Sequence, residues 1–279
     1  TTNNQSAIKE NIYTVNASLK TVPWSRLGAR LNPVLTPTAQ SAFGVSVDLS
    51  SDGTIMAVGA HEYNTNFSGY VEVYQYNGSS WSLLGDQTNL NGSSGAQFGK
   101  SVSLSSDGTI LAVGANIYQN HTGYVEVYQY NGSSWSLLGA RLNGVATSSF
   151  GWSVSLSSDG TILAVGAHYF NNNTNSGSVY IYQYIGSAWS LLGARLDGNS
   201  VNDNFGNAVS LSSDGTSLAV GAYKYNNYTG YVEVYSLSQN SLHATDKLRI
   251  TGSIKYLNDI DDNVETINLP NTSGTMITT

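Results

Sequence analysis

Four histidines, three glutamates in register, three arginines and a short run of aspartates are the side chains here that could do acid–base or metal chemistry. His61 and His168 both stand directly after Ala-Val-Gly-Ala, but the equivalent places further along hold Asn116 and Tyr223, while His121 and His243 lie elsewhere. A general base or metal centre needs fixed ligand types converging on one point. A position that drifts among His, Asn and Tyr reads as a variable loop. Glu72, Glu126 and Glu233 alternate with valines, and Arg30, Arg141 and Arg195 sit in Gly-Ala-Arg-Leu runs. They read as ion pairs at strand edges, worth at most about 1 kcal/mol each if exposed. Asp259, Asp261 and Asp262 lack the sixth-position Gly and distal Glu of an EF-hand loop, so a solvated turn is expected. Cysteine is absent, which removes disulfides, thiolate nucleophiles and zinc-thiolate sites. No catalytic residue, metal ligand or cofactor is assigned, and the chain reads as non-enzymatic.

A better case for chemistry rests on four aromatics. Tyr63, Tyr118, Phe170 and Tyr225 are each the third residue of an Asn-rich segment: 61–68, 116–122, 168–176 and 223–229. Aromatic faces flanked by amides suit sugar rings, whose C–H faces stack while their hydroxyls take hydrogen bonds. The competing reading, that these rings pack the bases of their own loops, stays open.

The elements that must position them follow from an internal repeat of about 54 residues. Phe43-Gly44, Phe98-Gly99, Phe150-Gly151 and Phe205-Gly206 head four copies. Each is followed by a Ser-Asp-Gly turn (Asp52, Asp107, Asp159, Asp214), an apolar strand ending Ala-Val-Gly-Ala, and Gly-Tyr-Val-Glu-Val-Tyr or its variant at 177–182. Three copies close with Trp-Ser-Leu-Leu-Gly from Trp81, Trp135 and Trp189. Four short strands per copy make one propeller blade. Asn77-Gly78 and Asn131-Gly132 predict two-residue hairpin turns between third and fourth strands. The fourth copy lacks a Trp strand, whereas an orphan Trp24-Ser-Arg-Leu-Gly precedes the first. The expected fold is therefore all-β: a propeller of four-stranded antiparallel blades, four in number, closed by an N-terminal strand. The alternative is a fifth, irregular blade from 11–20 plus 247–257. The expected domains are an N-terminal extension (1–22) able to act as an assembly strand, the propeller (23–242) and a C-terminal β extension or linker (243–279).

The Phe-Gly starts, Ser-Val-Ser-Leu-Ser-Ser-Asp-Gly, Ala-Val-Gly-Ala and Gly-Tyr-Val-Glu-Val-Tyr resemble the FG-GAP repeat of integrin-α-like propellers and their microbial and viral relatives, over about residues 24–235. The resemblance implies a surface-displayed adhesion module. Calcium-binding members carry an Asp/Asn-rich loop between the first two strands. Leu49-Ser-Ser-Asp-Gly-Thr54 offers one carboxylate, too few for the six to eight oxygens that Ca²⁺ prefers, so no metal is expected.

Composition sets the remaining bounds. Only 10% of residues are charged and the net charge is −7, which argues against nucleic acid as a partner. No apolar run reaches the roughly 18–20 residues of a spanning helix, so membrane insertion is not expected. The polar start, without Met, reads as a processed or trimmed chain. Asn-x-Ser/Thr triplets begin at Asn16, Asn66, Asn77, Asn91, Asn120, Asn131, Asn172, Asn227 and Asn271, which favours an extracellular, cell-surface or virion-surface location. Two functions follow. One is a recognition module for carbohydrate or a cell-surface protein, using the aromatic loop face. The other is a structural subunit that self-assembles into fibres through its terminal strands.

Overall fold

The computed structural model describes residues 24–34, 41–63, 66–170, 175–237, 253–257 and 264–268. The chain divides into a unit ending at Leu237 and a second from Ser238 to Thr279. In the second, β18 (Ser253–Leu257) pairs antiparallel with β19 (Val264–Asn268), giving the strand-like stretch at 254–257 a partner outside the repeats.

The first unit is all-β, built from four antiparallel sheets that follow the four copies. They are β1 (Ser46–Leu49) to β4 (Trp81–Leu83); β5 (Phe98–Leu104) to β8 (Trp135–Leu137); β10 (Phe150–Leu156) to β13 (Ala188–Leu191); and β15 (Phe205–Leu211) to β17 (Tyr231–Ser236). Strands within each sheet pair in chain order. The sheets are less uniform than the expected four strands. Short strands β9 (Leu142–Asn143) and β14 (Leu196–Asp197) return to pair with β7 (Tyr124–Tyr130) and β12 (Ser178–Ile185), making the second and third sheets five-stranded. The fourth has three, because its copy has no Trp strand.

Each Ser-Asp-Gly turn is built by its aspartate. Asp107 Oδ1 accepts from Ser105 Oγ at 2.6 Å, from the Thr109 N–H at 3.0 Å and from Thr109 Oγ1 at 2.9 Å, and Asp52, Asp159 and Asp214 repeat the pattern. These bonds to the charged form hold the carboxyls below the ordinary range, Asp214 at about 2. The Asn-Gly hairpins differ from expectation. Tyr76 pairs with Trp81 across a four-residue loop, and Asn77 Oδ1 accepts from the Ser79 and Ser80 N–H groups, so only Gly78 needs positive φ.

Successive sheets stack face to face through a repeated junction. Ala57, Val71 and Val73 of the first sheet pack on Phe98, Val102, Leu111 and Val113 of the second. The same pattern joins second to third and third to fourth. The glycine of Ala-Val-Gly-Ala is required there: a Cβ on Gly59, Gly114 or Gly166 would lie 2.0–2.1 Å from the carbonyl oxygen of Gly99, Gly151 or Gly206 in the next sheet. Ser46, Ser101 and Ser153 donate their hydroxyls to those same oxygens at 2.8–3.0 Å. A backbone chain at the turn end runs from the Ser51 N–H to Ser106 O, Ser106 to Ser158 and Ser158 to Ser213, each 2.8 Å.

The two outer faces of this stack stand open. Val232 and Val234 of β17 are 68% and 72% exposed, whereas their counterparts Val71, Val73, Val125 and Val127 are at most 2% exposed. Gly221 meets nothing closer than 3.7 Å. On the first sheet Val47 and Leu49 are 62% and 52% exposed, and a Cβ on Gly44 would meet nothing within 4 Å. The segment 24–34 lies against the first sheet in the place each outer strand takes on its neighbour. Trp81 Nε1 donates to Leu27 O at 3.0 Å, as Trp135 does to Leu84 O and Trp189 to Leu138 O. Trp24 itself is fully exposed.

Candidate ligand-binding face

The loops between second and third strands lie at the end opposite the Ser-Asp-Gly turns. Tyr63, Tyr118 and Tyr225 each meet edge-on the tyrosine that opens their own third strand, at 4.7 Å from Tyr70, 5.1 Å from Tyr124 and 5.0 Å from Tyr231; Phe170 lies 6.3 Å from Tyr180. Two are also covered by arginine: Arg141 sits 5.6 Å from the ring centre of Tyr118 and Arg195 4.2 Å from that of Phe170. The four aromatics therefore serve their own blades, and no ring contact joins them. Tyr225 is the most open, at 39% exposed.

Of the expected arginine–glutamate pairs, one forms among the described residues. Arg141 donates from Nε to Glu126 Oε1 at 2.8 Å, with the carboxylate buried and also accepting from Tyr128 Oη at 2.7 Å. In the third sheet Tyr180 replaces the glutamate and Arg195 turns to Asp197 instead.

A different set of side chains does meet across blades. The ladder slips by a bulge at Phe98/Ser101, Phe150/Ser153 and Phe205/Ala208, which frees the second residue after Phe from strand pairing. In the second and third copies that residue is Lys100 and Trp152. Lys100 Nζ lies 4.3 Å from the Trp152 ring centre, Trp152 is 3.9 Å from His168, and His168 is 3.9 Å from Tyr169. From the fourth copy, Lys224 Nζ approaches the Tyr169 and Tyr223 rings at 5.8 and 5.6 Å. The position taken as variable loop is buried in three copies: His61, Asn116 and His168 are 8%, 1% and 1% exposed. His61 Nδ1, Asn116 Oδ1 and His168 Nδ1 have no hydrogen-bond partner among the described residues. Burial, helped by Lys224 and Lys100, pushes His168 down to about 3, so it is neutral near pH 7. Burial also lowers the Lys100 ammonium. The signal missed in the sequence was the slot two residues after Phe, held by Val45, Lys100, Trp152 and Asn207.

A concavity of about 390 Å³ lies elsewhere, between the first strands toward the turn end, and is lined by serines including Ser103, Ser155 and Ser158. Its one ionisable side chain, Asp48, accepts from the Leu49 and Leu104 N–H groups. It contains no pair for acid–base work.

The bulged Phe-Gly start, the Asp-capped turn and the glycine junction recur in phase. Residues 142–182 match the FG-GAP repeat. The matched stretch runs from the short strand β9 through the first two strands of the third copy into β12, short of its Trp189 strand, and the other three copies share its motif residues. No curated protein matches the chain. Similar solved structures include TolB from Acinetobacter baumannii, 16% identical with TM-score 0.42, covering 70% of this chain and 40% of its own. Another is Sqt1 from Chaetomium thermophilum, 17% identical with TM-score 0.48, covering 71% and 45%. The chain thus spans less than half the length of either.

Of the acceptor asparagines, Asn66, Asn77, Asn91, Asn120, Asn131 and Asn227 are exposed. Asn16, Asn172 and Asn271 lie outside the described residues, as do the 11–20 stretch and Asp259, Asp261 and Asp262.

Proposed function

We propose that this chain is a non-enzymatic recognition module, displayed extracellularly or on a cell or virion surface, that binds carbohydrate or a cell-surface protein through its loop end. The observation that carries this reading is the strip from Lys100 through Trp152, His168 and Tyr169 to Lys224, drawn from three successive copies. Clustered aromatic faces beside unpartnered polar atoms are the composition of a saccharide site. A glycan array on the intact chain tests it, with Tyr225→Ala and Tyr223→Ala as variants. Binding weakened by either substitution supports the loop face; no glycan bound by the parent overturns the carbohydrate reading.

The same proposal includes a ring of four blades closed by the segment from Trp24 to Asn32 on β17. Supporting it are the open glycine slot at Gly221, the bare Val232 and Val234, and the missing outer strand. By analogy with Gln75 opposite Ser82, Ser25 pairs with Ser236, and Arg30 meets Glu233 as Arg141 meets Glu126. Ala208 departs from the pattern: it replaces the serine that would donate across this last junction. The open faces equally favour a second reading, head-to-tail assembly in which the strand enters a neighbouring copy. Because the chain has no cysteine, the double variant Ser25→Cys/Ser236→Cys decides. A disulfide within a monomer supports closure; covalent oligomers support assembly; no disulfide rejects this strand placement.

A further inference from the structure

Lys100 and Lys224 are the only lysines between residues 24 and 237, and the fold brings both to one strip at the loop end. Neither is within ion-pair distance of a carboxylate among the described residues. Every described arginine beyond residue 30 is, by contrast, paired: Arg141 with Glu126 and Arg195 with Asp197. Glu62, which sits beside His61 at 3.6 Å, acts on Lys100 through its charge without an ion-pair contact. Two unpaired ammonium groups on a chain of net charge −7 therefore flank a row of rings. Between them His168, 99% buried, holds an unpartnered Nδ1, and Tyr169 and Tyr223 remain 37% and 44% exposed.

From this arrangement we infer that the strip is a subsite for a carboxylated sugar, with Lys224 meeting the carboxylate and the open faces of Tyr223 and Tyr169 stacking on the pyranose ring. The inference rests on the recognition reading above and names its ligand class. A single carboxylate suits the site better than a polyanion. One carboxylate can be met by one ammonium with the second nearby, whereas two ammonium groups on a chain of net charge −7 are too few to hold a chain of phosphates or sulfates. Lys100, half-buried over Trp152, supplies the second positive charge from below and holds the indole in place.

Titration calorimetry on the intact chain tests this with sialyllactose and galacturonic acid, each carrying one carboxylate, against their methyl esters, which keep the ring and remove the charge. The expected result is binding of at least one acid, with its ester at least tenfold weaker. Lys224→Gln should lose at least tenfold and Lys224→Arg should retain most of the affinity. Lys224→Gln is expected to melt with the parent, since its ammonium makes no ion pair. Equal binding of acid and ester, or an unchanged Lys224→Gln variant, overturns the carboxylate subsite and leaves loop-face recognition standing. Failure of every acid probe while array glycans bind does the same. Failure of all probes and all array glycans overturns both.

Discussion

At the scale of single residues, buried charge and buried neutral imidazole make the sharpest predictions. Glu126 is buried and depends on Arg141, so Arg141→Ala strands a carboxylate. The expected loss is about 2 kcal/mol, below the 3–5 kcal/mol of a fully buried pair because Arg141 keeps 31% of its exposure. Chemical denaturation of Arg141→Ala, and of Arg141→Met/Glu126→Gln where the charge is removed too, checks it: the double variant should be the more stable. His168 titrates near 6.5 when unfolded and near 3 when folded, so the unfolded chain takes up a proton that the folded chain refuses. Stability therefore falls as pH drops from about 6.5 toward 3. The turn aspartates act lower. Asp214, folded value about 2, contributes stability that is present above its unfolded value near 3.8 and is lost as pH falls toward 2. Melting temperatures at pH 7 and pH 4.5 should differ less for His168→Asn, the residue the second copy uses at Asn116, than for the parent.

At the scale of elements, the junction glycines separate a sealed blade face from an open one. Gly114→Ala would press a methyl to 2.0 Å from Gly151 O and should unfold the chain or lower its melting point steeply. Gly221→Ala has 3.7 Å of clearance while its face is open, so a mild effect is expected from an open stack and a severe one from a closed ring. Comparing the two melts measures closure without any ligand. Strand order and turn positions were legible from the sequence because they are written in residues that act locally: Asp107 capping its own turn, or Val125 and Val127 alternating with Glu126. The loop aromatics were legible as a set but not in role, since whether Tyr118 faces solvent or Tyr124 depends on where Arg141 comes to rest. Lys100 and Trp152 were missed for a related reason. A bulge, invisible in a strand pattern, lifts them out of the ladder and lets these two side chains meet across the junction of copies two and three.

At the scale of the whole molecule, the repeat unit and the C-terminal hairpin are written separately. β18 and β19 pair with each other, and the repeat unit ends at Leu237. A chain stopped at Leu237 keeps all four sheets of the repeat unit and is therefore expected to fold by itself, read as one cooperative melt by calorimetry. Open end faces also predict that the isolated repeat unit is sensitive to the N-terminal segment: deleting residues 24–34 uncovers Trp81 and removes the bond from Val34 N to Glu72 Oε1 at 2.9 Å. The expected result is a lower melting point together with increased dye binding to apolar surface.

The three glycine–carbonyl junctions share one geometry, and each is encoded entirely within the two copies it joins. Copies are in that sense interchangeable parts. Duplicating residues 98–149 in frame gives the added copy a junction of the same kind on each side, Gly114 against the carbonyl of a second Gly99. An open stack should accept that fifth sheet and still melt cooperatively, whereas a ring closed at four would have to break to admit it.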